Sequence, residues 1–262
     1  MKNKDLRSFY ANLYKKGERK HYTALLFSKE LPEEMAAVID EVPSWRGKTV
    51  VDVGCGTGRI GWELVHKGAK HFLGIDYASS AIKEAQQHYR RPNLEFREMD
   101  VKNLQGTFDV VISLGTLEHM DDPFAMLKTL KRHVKPGGSL IVTCPNWVNP
   151  RGYFLQTLEL LFKAPITLAD LHYLTPIEFQ TWSKRLRMPL SWKTVDHDWA
   201  HGKLLIKDFK RRIPNVLRDA KLPRRQSQID AFIRWIEEHV LPLDHKTAFS
   251  GATGLYHFRR PN

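Results

Sequence analysis

The residues with the clearest chemical meaning are three glycines at alternate positions, namely Gly54, Gly56 and Gly58. They follow Asp52 and the β-branched run 49–51, so the segment predicts a buried strand, a turn almost without side chains, and then a helix. Such a turn lets a ligand lie directly on the backbone beside a helix N-terminus. Because Gly61 would also complete an approximate dinucleotide pattern, this turn alone does not decide which nucleotide binds.

Two acidic residues at the ends of later apolar runs suit the other parts of a nucleotide. Asp76 ends the run HFLGID, where a carboxylate can accept two hydrogen bonds from a ribose diol. It is also suited to cap the helix predicted from Ser79, and the two roles are compatible. Asp100, after the next run, is placed to accept a hydrogen bond from an adenine amino group.

The elements that must position these residues alternate between strand and helix from residue 48 to residue 143. Short apolar runs are separated by helical stretches at 60–67, 79–89 and 124–134. This alternation predicts an α/β fold with a parallel, doubly wound sheet. Ligands of such sheets bind at the carboxyl ends of the strands, which is where the glycine turn and both aspartates fall.

Five separated motifs together resemble the class I S-adenosylmethionine-dependent methyltransferases. They are Asp52–Gly58, Asp76, Asp100, the FDVVIS of strand four and the KPGG before strand five. The resemblance covers residues 45–146. It implies a Rossmann-like, seven-stranded, mostly parallel sheet with helices on both faces and a final antiparallel hairpin. It also implies S-adenosyl-L-methionine as cofactor and S-adenosyl-L-homocysteine as product.

The resemblance assigns cofactor roles along the carboxyl edge. The glycines would pass the methionine part, Asp52 would orient its amino end, Asp76 would hold the ribose, and Asp100 with Val101 would flank the adenine. The complete expected set is Asp52, Gly54, Cys55, Gly56, Gly58, Asp76, Tyr77, Asp100, Val101, Ser113 and Leu114.

A narrower likeness lies in Thr116–Pro123, which resembles the LEH-V-x-D-P segment of ubiquinone-type O-methyltransferases and their small-molecule and glycan-modifying relatives. Gly115 stands where those enzymes often carry a glutamate, so no metal is expected. His119 is the first candidate for general base, because an imidazole titrating near neutrality suits removal of a hydroxyl proton. The alternative is that Glu118 and His119 only pack and cap the following helix.

The segments after residue 146 are expected to determine which acceptor binds. His172 and His201 are reserve bases, and Asp196–Gly202 is interpreted as a polar loop with an aromatic wall rather than a metal site. The expected substrate contacts are Tyr10, Tyr14, Tyr22, Glu118, Tyr173, His197, Trp199 and Arg211. The apolar segment 153–162 suits a substrate lid, a dimer face or a helix on a membrane.

The expected organisation is an N-terminal helical cover at 1–46, a cofactor-binding core at 47–146, and substrate-side segments at 147–262. The last part carries a helical insertion at 203–246 before the final strand. Aromatic residues in the cover suit either core packing or a lid over the site. The basic stretch 207–225 is expected to be a solvated face or a clamp for a phosphate or carboxylate.

Composition indicates which classes of partner and which cellular location to expect. A formal charge of +12 favours anionic partners, whether a small molecule, a membrane surface or nucleic acid. No signal peptide or spanning segment is recognised, which predicts a cytoplasmic protein. Two cysteines, Cys55 and Cys144, indicate no disulfide framework.

The sequence therefore predicts O-methylation of a small-molecule or glycan-type acceptor. The alternatives are an RNA methyltransferase, for which Cys144 would be the nucleophile, and a cofactor-binding protein without turnover. If the acceptor is instead a small molecule or glycan, Cys144 is only a small apolar core residue. The oligomeric state is left open.

Overall fold

The computed structural model describes residues 30–167 and 169–262. Tyr10, Tyr14 and Tyr22, expected in a cover, lie outside the described residues. The strands are β1 Thr49–Val53, β2 His71–Asp76, β3 Leu94–Glu98, β4 Phe108–Leu114, β5 Val134–Pro145, β6 Leu190–Val195 and β7 Thr253–Arg259. They form one seven-stranded sheet in the order β3-β2-β1-β4-β5-β7-β6.

Helices connect most of these strands. The α-helices are α1 Glu33–Asp40, α2 Arg59–His66, α3 Ser79–His88, α4 Pro123–Arg132, α5 Pro150–Phe162, α6 Pro176–Leu186, α7 His197–His201, α8 Lys203–Asp219 and α9 Gln226–Trp235. Short 3₁₀ turns lie at Val101–Asn103, Leu117–His119 and Leu241–Leu243, and a π-helix at Ile236–Val240 continues α9. Within the described residues, every helix is too short or too polar to cross a bilayer.

The first five strands run parallel. β1 pairs with β2 and with β4, and its Asp52 lies opposite Gly74 on one side and Ile112 on the other. β2 pairs with β3, and β4 with β5, also in parallel. The central strands are buried because helices cover both faces, which explains their continuous apolar runs. The predicted parallel sheet is confirmed.

The last two strands close the sheet with a reversal. Gly137 N–H donates to Arg260 O at 3.0 Å, whereas Asn146 N–H donates to Ala252 O at 2.7 Å. Since residue numbers rise along β5 while their partners fall, β7 runs antiparallel to β5. The same argument holds for β6, where Arg259 N–H donates to Pro189 O at 2.9 Å and Ala252 N–H donates to Asp196 O at 3.3 Å. The final antiparallel hairpin is therefore present as expected.

The chain divides into two compact units. The first comprises the described residues up to Cys144 together with Ile177–Trp192 and Leu255–Asn262. The second comprises Pro145–Pro176 and Lys193–Gly254. The first unit thus contains nearly all of α6, the start of β6 and most of β7, in addition to the parallel strands β1–β4 and most of β5.

The second unit has its own apolar core. The buried stripe of α8 includes Phe209 and Ile213, and it packs with Ile229 and Ile233 of α9. Phe154 of α5 contacts both helices, with ring centroids 5.0 Å from Phe209 and 4.7 Å from Phe232. Ile229, Phe232, Ile233 and Ile236 fall on one face at helical spacing, and this apolar face is directed into the core.

Within that core lies one buried ion-pair cluster. Asp208 is 2% exposed and accepts from Arg151 Nε and Arg212 Nε, each at 3.0 Å. Burial acts to raise the pKa of Asp208, but the two guanidinium groups outweigh it and the pKa is lowered. Arg212 also donates to Ile166 O at 2.7 Å, so the cluster ties α5, α8 and the loop after α5 together.

Candidate active site

The glycine turn after β1 adopts a backbone that favours glycine. Gly54, Gly56 and Gly58 have φ values of +80°, +52° and +79°. A Cβ on Gly54 would lie only 2.5 Å from Thr116 Cγ2, in the loop after β4. Gly54 therefore needs glycine for two separate reasons, its left-handed backbone and this close approach. The turn is also fixed to β2, because Gly54 N–H donates to Ile75 O at 2.8 Å.

Asp52 is a buried carboxylate beside this turn. It is 2% exposed, and its Oδ1 has no hydrogen-bond partner among the described residues. Burial, together with the charges of Asp76 and Glu34, raises the pKa of Asp52 to about 8. A buried carboxylate in this state is stabilised by an incoming cation or hydrogen-bond donor. The position therefore suits the ammonium end of a ligand.

Asp76 joins the glycine turn to the start of α3. Its Oδ2 accepts the Gly56 N–H at 3.0 Å, and its Oδ1 accepts the Ala78 N–H at 2.8 Å. Burial raises the pKa of Asp76 although these backbone donors act to lower it. The N-cap position of α3 is Ala78 itself, so Asp76 supports the helix start from two residues earlier. The carboxylate can still accept a further donor, such as a diol hydroxyl.

Asp100 and Val101 lie at the end of β3. Asp100 is exposed and its Oδ1 accepts the Lys102 N–H at 2.9 Å, which caps the 3₁₀ turn. Val101 is buried, at 8% exposure. An exposed carboxylate next to a buried apolar side chain is an arrangement that can bind the amino edge and one face of a purine.

Ser113 and Leu114 are the last residues of β4, and their contacts hold the neighbouring parts of the site in place. Ser113 Oγ donates to Val53 O at 2.8 Å and is hydrogen-bonded to Thr116 Oγ1 at 2.7 Å. Its hydroxyl is thus used to tie β4 to β1 and to hold the Thr116 side chain that contacts Gly54. Leu114 is half-buried and packs against the core of the first unit.

Glu118 and His119 follow in the 3₁₀ turn Leu117–His119. Glu118 is 3% exposed, the His119 side chain is 15% exposed, and His119 Nε2 lies 3.9 Å from Glu118 Oε1. The cap of α4 is a different residue, since Asp122 Oδ1 accepts the Ala125 N–H at 2.9 Å. Capping therefore does not account for this carboxylate–imidazole pair.

Glu34 and Thr143 are site residues that the sequence did not single out. Thr143 Oγ1 donates to Glu34 Oε1 and accepts the Gly115 N–H at 3.0 Å. Helix α1 is thereby linked to the loop that carries Glu118 and His119. Glu34 also contributes to the raised pKa of Asp52. An acidic residue in the first turn of a predicted helix suggests helix stabilisation, and nothing in its spacing indicates this contact.

Both cysteines are buried thiols. Burial raises the pKa of Cys55 and of Cys144 well above the usual range, and the carboxylate of Glu118 adds to the effect at Cys144. A thiol is nucleophilic as its thiolate. These surroundings favour Cys144 as a small core residue next to Glu118 and disfavour a covalent cysteine mechanism.

His201 and His197 lie in α7 of the second unit. His201 is 5% exposed; its Nδ1 is hydrogen-bonded to Asp244 and its Nε2 donates to Ser250 O at 2.6 Å. Both ring nitrogens are thus engaged, which leaves neither one for proton removal. The half-buried His197, by contrast, has an Nδ1 without a hydrogen-bond partner among the described residues.

The other expected acceptor residues also lie in the second unit. Tyr173 packs edge-on against Trp147 at 5.1 Å, and burial raises the pKa of its hydroxyl. His172 is half-buried, Trp199 is 36% exposed, and the Arg211 side chain is 73% exposed. Over residues 30–167 and 169–262, no three His, Cys, Asp or Glu side chains converge in a metal-binding arrangement.

Known proteins resemble this chain in sequence and in fold. Residues 50–138 match the family described as Methyltransferase domain. A ubiquinone biosynthesis O-methyltransferase of Pseudomonas fluorescens is 31% identical over 157 residues, which are 56% of this chain and 67% of the relative. A Pseudomonas paraeruginosa protein of the same name is 30% identical over 156 residues, again 56% of this chain and 66% of the relative. The match thus spans about two thirds of these relatives.

The chain belongs to the class I S-adenosylmethionine-dependent methyltransferases. Its cofactor is S-adenosyl-L-methionine. A solved structure of magnesium protoporphyrin IX methyltransferase from Synechocystis, with bound S-adenosylhomocysteine, shares the fold with a TM-score of 0.57 and 14% identity. It covers 97% of this chain and 99% of that one. The buried Asp52 oxygen, which has no hydrogen-bond partner among the described residues, and the glycine-rich turn fit such a cofactor.

Proposed function

We propose that the chain transfers the methyl group of S-adenosyl-L-methionine to an oxygen of a small-molecule or glycan-type acceptor, with His119 as general base. The observation that carries this proposal is the Glu118–His119 pair, with Nε2 and Oε1 3.9 Å apart, in the loop whose Thr116 contacts the glycine turn. The names of the relatives, as O-methyltransferases, support an oxygen acceptor.

The proposed cofactor contacts follow the carboxyl edge of the sheet. Asp52 binds the amino end, Asp76 the ribose diol, and Asp100 with Val101 the adenine. The raised pKa of Asp52 supports this role, because a buried carboxyl group with a pKa of about 8 is stabilised in its ionised form by a cationic partner. The glycine turn, with Cys55 and Tyr77, supplies backbone surface along the rest of the ligand.

The bound cofactor supplies an activated methyl group on a positively charged sulfur. The main tasks of the protein are then to align the acceptor oxygen for in-line attack and to remove its proton. His119 takes this proton in the proposal. The buried Glu118 carboxylate, with Oε1 3.9 Å from Nε2, stabilises the imidazolium that forms by charge attraction.

The identity of the acceptor is proposed only as a class. A net charge of +12 and the basic helix α8 favour an acceptor with a carboxylate or phosphate, and Arg211 is exposed enough to bind it. His172, Tyr173, His197 and Trp199 stay candidates for acceptor contacts. His201 is the weakest candidate base because both of its nitrogens are engaged.

The decisive experiment compares His119→Ala with His71→Ala, a control histidine at the amino end of β2 that is 41% exposed. Methyl transfer is measured by single turnover against phenols, sugars and carboxylated acceptors. His119→Ala should slow transfer by about 10²- to 10⁴-fold, the usual contribution of general base catalysis. Binding of S-adenosylhomocysteine should not change in either variant. Equal rates in the two variants would remove His119 as the base.

An RNA methyltransferase is the second candidate, and the net charge is the observation that favours it. The raised pKa of Cys144 argues against the covalent cysteine route. Inclusion of RNA in the same screen separates the two candidates. A cofactor-binding protein without turnover predicts no methyl transfer to any acceptor class and a biological activity that persists in His119→Ala.

A further inference from the structure

A basic cavity lies on the first unit, between helix α4, the end of α6 and the segment after β7. It has a volume of about 370 Å³. One wall is a stripe of α4 with Phe124, Lys128 and Arg132, four residues apart, so the stripe is about 12 Å long. Arg185 of α6 and Arg260 of the C-terminal segment complete the lining.

Two of its cations are held by main-chain oxygens. Lys131 Nζ donates to Leu186 O at 2.6 Å, and the Arg260 guanidinium donates through NH1 to Val134 O. Arg260 is thus bonded to the first residue of β5, and Lys131 precedes that strand by three residues, so the cavity lies near the amino end of β5. This end of the sheet is opposite to the carboxyl edge with the glycine turn, so the cavity is separate from the active site.

The other cations have no carboxylate to neutralise them. Among the described residues, Lys128, Arg132 and Arg185 form no ion pair. Lys128 Nζ lies 5.2 Å and Arg185 Cζ 3.8 Å from the centre of the Phe124 ring, so both charges are directed to the same aromatic side chain. Like charges brought together in this way repel, and an anion between them relieves the repulsion.

Helix ends explain part of this charge but not all of it. Arg132 and Arg185 lie in the last turns of α4 and α6, where cations interact favourably with the helix dipole. Lys128 lies in the middle of α4, and Arg260 lies outside any helix. The convergence of these four residues and Lys131 on one concave surface is therefore not explained by helix stability alone.

We infer that this cavity binds a phosphate ester or diphosphate of a small molecule. Arginine forks and a lysine ammonium are the side chains that bind phosphate oxygens most strongly. A volume of about 370 Å³ matches the lower end of small-molecule sites. A concave site of this size favours a small ligand over an extended nucleic-acid strand, which needs a longer surface. The inference does not depend on the proposed acceptor or base.

The test uses pyrophosphate as the probe, by titration calorimetry at constant ionic strength. The variant Lys128→Gln/Arg132→Gln is compared with Lys67→Gln/Lys83→Gln, which removes the same charge from two exposed lysines elsewhere on the first unit. Pyrophosphate should bind the wild type and the control equally, and the cavity variant at least tenfold more weakly. Binding of S-adenosylhomocysteine should be equal in all three and reports correct folding.

Three results would overturn the inference. The first is a wild-type protein that does not bind pyrophosphate, and the second is an equal loss of binding in both double variants. The third is a wild type that binds a single-stranded RNA or anionic phospholipid vesicles through Lys128 and Arg132 but does not bind pyrophosphate. If the double variant fails to bind S-adenosylhomocysteine, Lys128→Gln alone replaces it, with an expected loss of at least threefold.

Discussion

Asp76 accepts the main-chain N–H of Gly56 at 3.0 Å, and this hydrogen bond joins the end of β2 to the glycine turn after β1. The same carboxylate accepts the Ala78 N–H that begins α3. One side chain therefore fixes the two segments between which the proposed ribose contact lies. This double role means that a change at Asp76 affects both the ligand contact and the surface on which the ligand lies.

The first prediction concerns this carboxylate. Asp76→Ala should weaken the binding of S-adenosylhomocysteine by about 1–3 kcal/mol, because charge-assisted hydrogen bonds to the ribose are lost. Calorimetry measures the change, and Asp121→Ala, an exposed aspartate after the 3₁₀ turn, is the control. An unchanged affinity in Asp76→Ala would contradict the ribose contact.

The second prediction separates the two demands on Gly54. Gly54→Ala should destabilise the protein more than Gly47→Ala, measured by urea unfolding. Both glycines have left-handed φ values, +80° and +76°, but a Cβ at Gly47 meets nothing within 4 Å. Strain of this kind costs about 1–3 kcal/mol per residue. Gly54→Ala carries in addition the contact with Thr116 Cγ2 at 2.5 Å.

A rescue variant tests the second part of that argument. Thr116→Ser removes Cγ2 but keeps the hydroxyl that bonds to Ser113. In the double variant Gly54→Ala/Thr116→Ser, the loss of unfolding free energy should fall to about that of Gly47→Ala. The contact is relieved in this variant, whereas the backbone strain remains. Additive effects of the two substitutions would show that the close approach does not matter.

Much of the first unit could be predicted from the sequence because its signals are local. The β-branched run at 49–51 and the apolar runs that follow specify buried strands, and the sheet is made of those strands. The segment 190–195 likewise predicts a strand, and it forms β6 with those bounds. The return of α6 and part of β7 to the first unit was not predictable, since it depends on contacts between segments more than fifty residues apart.

The positions of candidate site residues could be predicted only where residue type and place at a strand end are sufficient. The glycines and Asp76 stand directly at strand ends, so their position follows from the topology alone. Glu34 contacts Thr143 across more than a hundred residues, and His201 is bonded to Asp244 across forty-three. Histidine as a residue type predicts acid–base chemistry, but only the fold decides whether its nitrogens are already engaged.

The third prediction follows from the raised pKa of Asp52. Its pKa of about 8 in the folded protein lies above the ordinary value of 3.8. The folded state therefore holds a proton that the unfolded state loses, so the stability contributed by protonated Asp52 declines as the pH rises from about 4 to about 8. Asn at this position is neutral throughout. The melting temperature of Asp52→Asn without cofactor should exceed that of the wild type, by a margin that grows from pH 5 to pH 8.

The control for this pH dependence is Asp109→Asn. Burial acts to raise the pKa of Asp109, but hydrogen bonds from Thr49 and Lys135 outweigh it and lower this pKa to about 2. Asp109 is therefore ionised in both states above pH 5, and its substitution should change the melting temperature by the same amount at pH 5 and pH 8. A parallel pH profile for Asp52→Asn and the wild type would contradict the buried, protonated state of Asp52.

The fourth prediction concerns protons released on cofactor binding. A cationic ligand beside Asp52 favours its ionised form, so a carboxyl group that is protonated at pH 7 should release its proton as S-adenosyl-L-methionine binds. Calorimetry at pH 7 in two buffers of different ionisation enthalpy measures this release directly. The wild type should release a substantial fraction of one proton, Asp52→Asn none, and the wild-type affinity should rise between pH 6 and pH 8. Equal proton release in the two proteins would mean that the ammonium end of the cofactor is bound elsewhere.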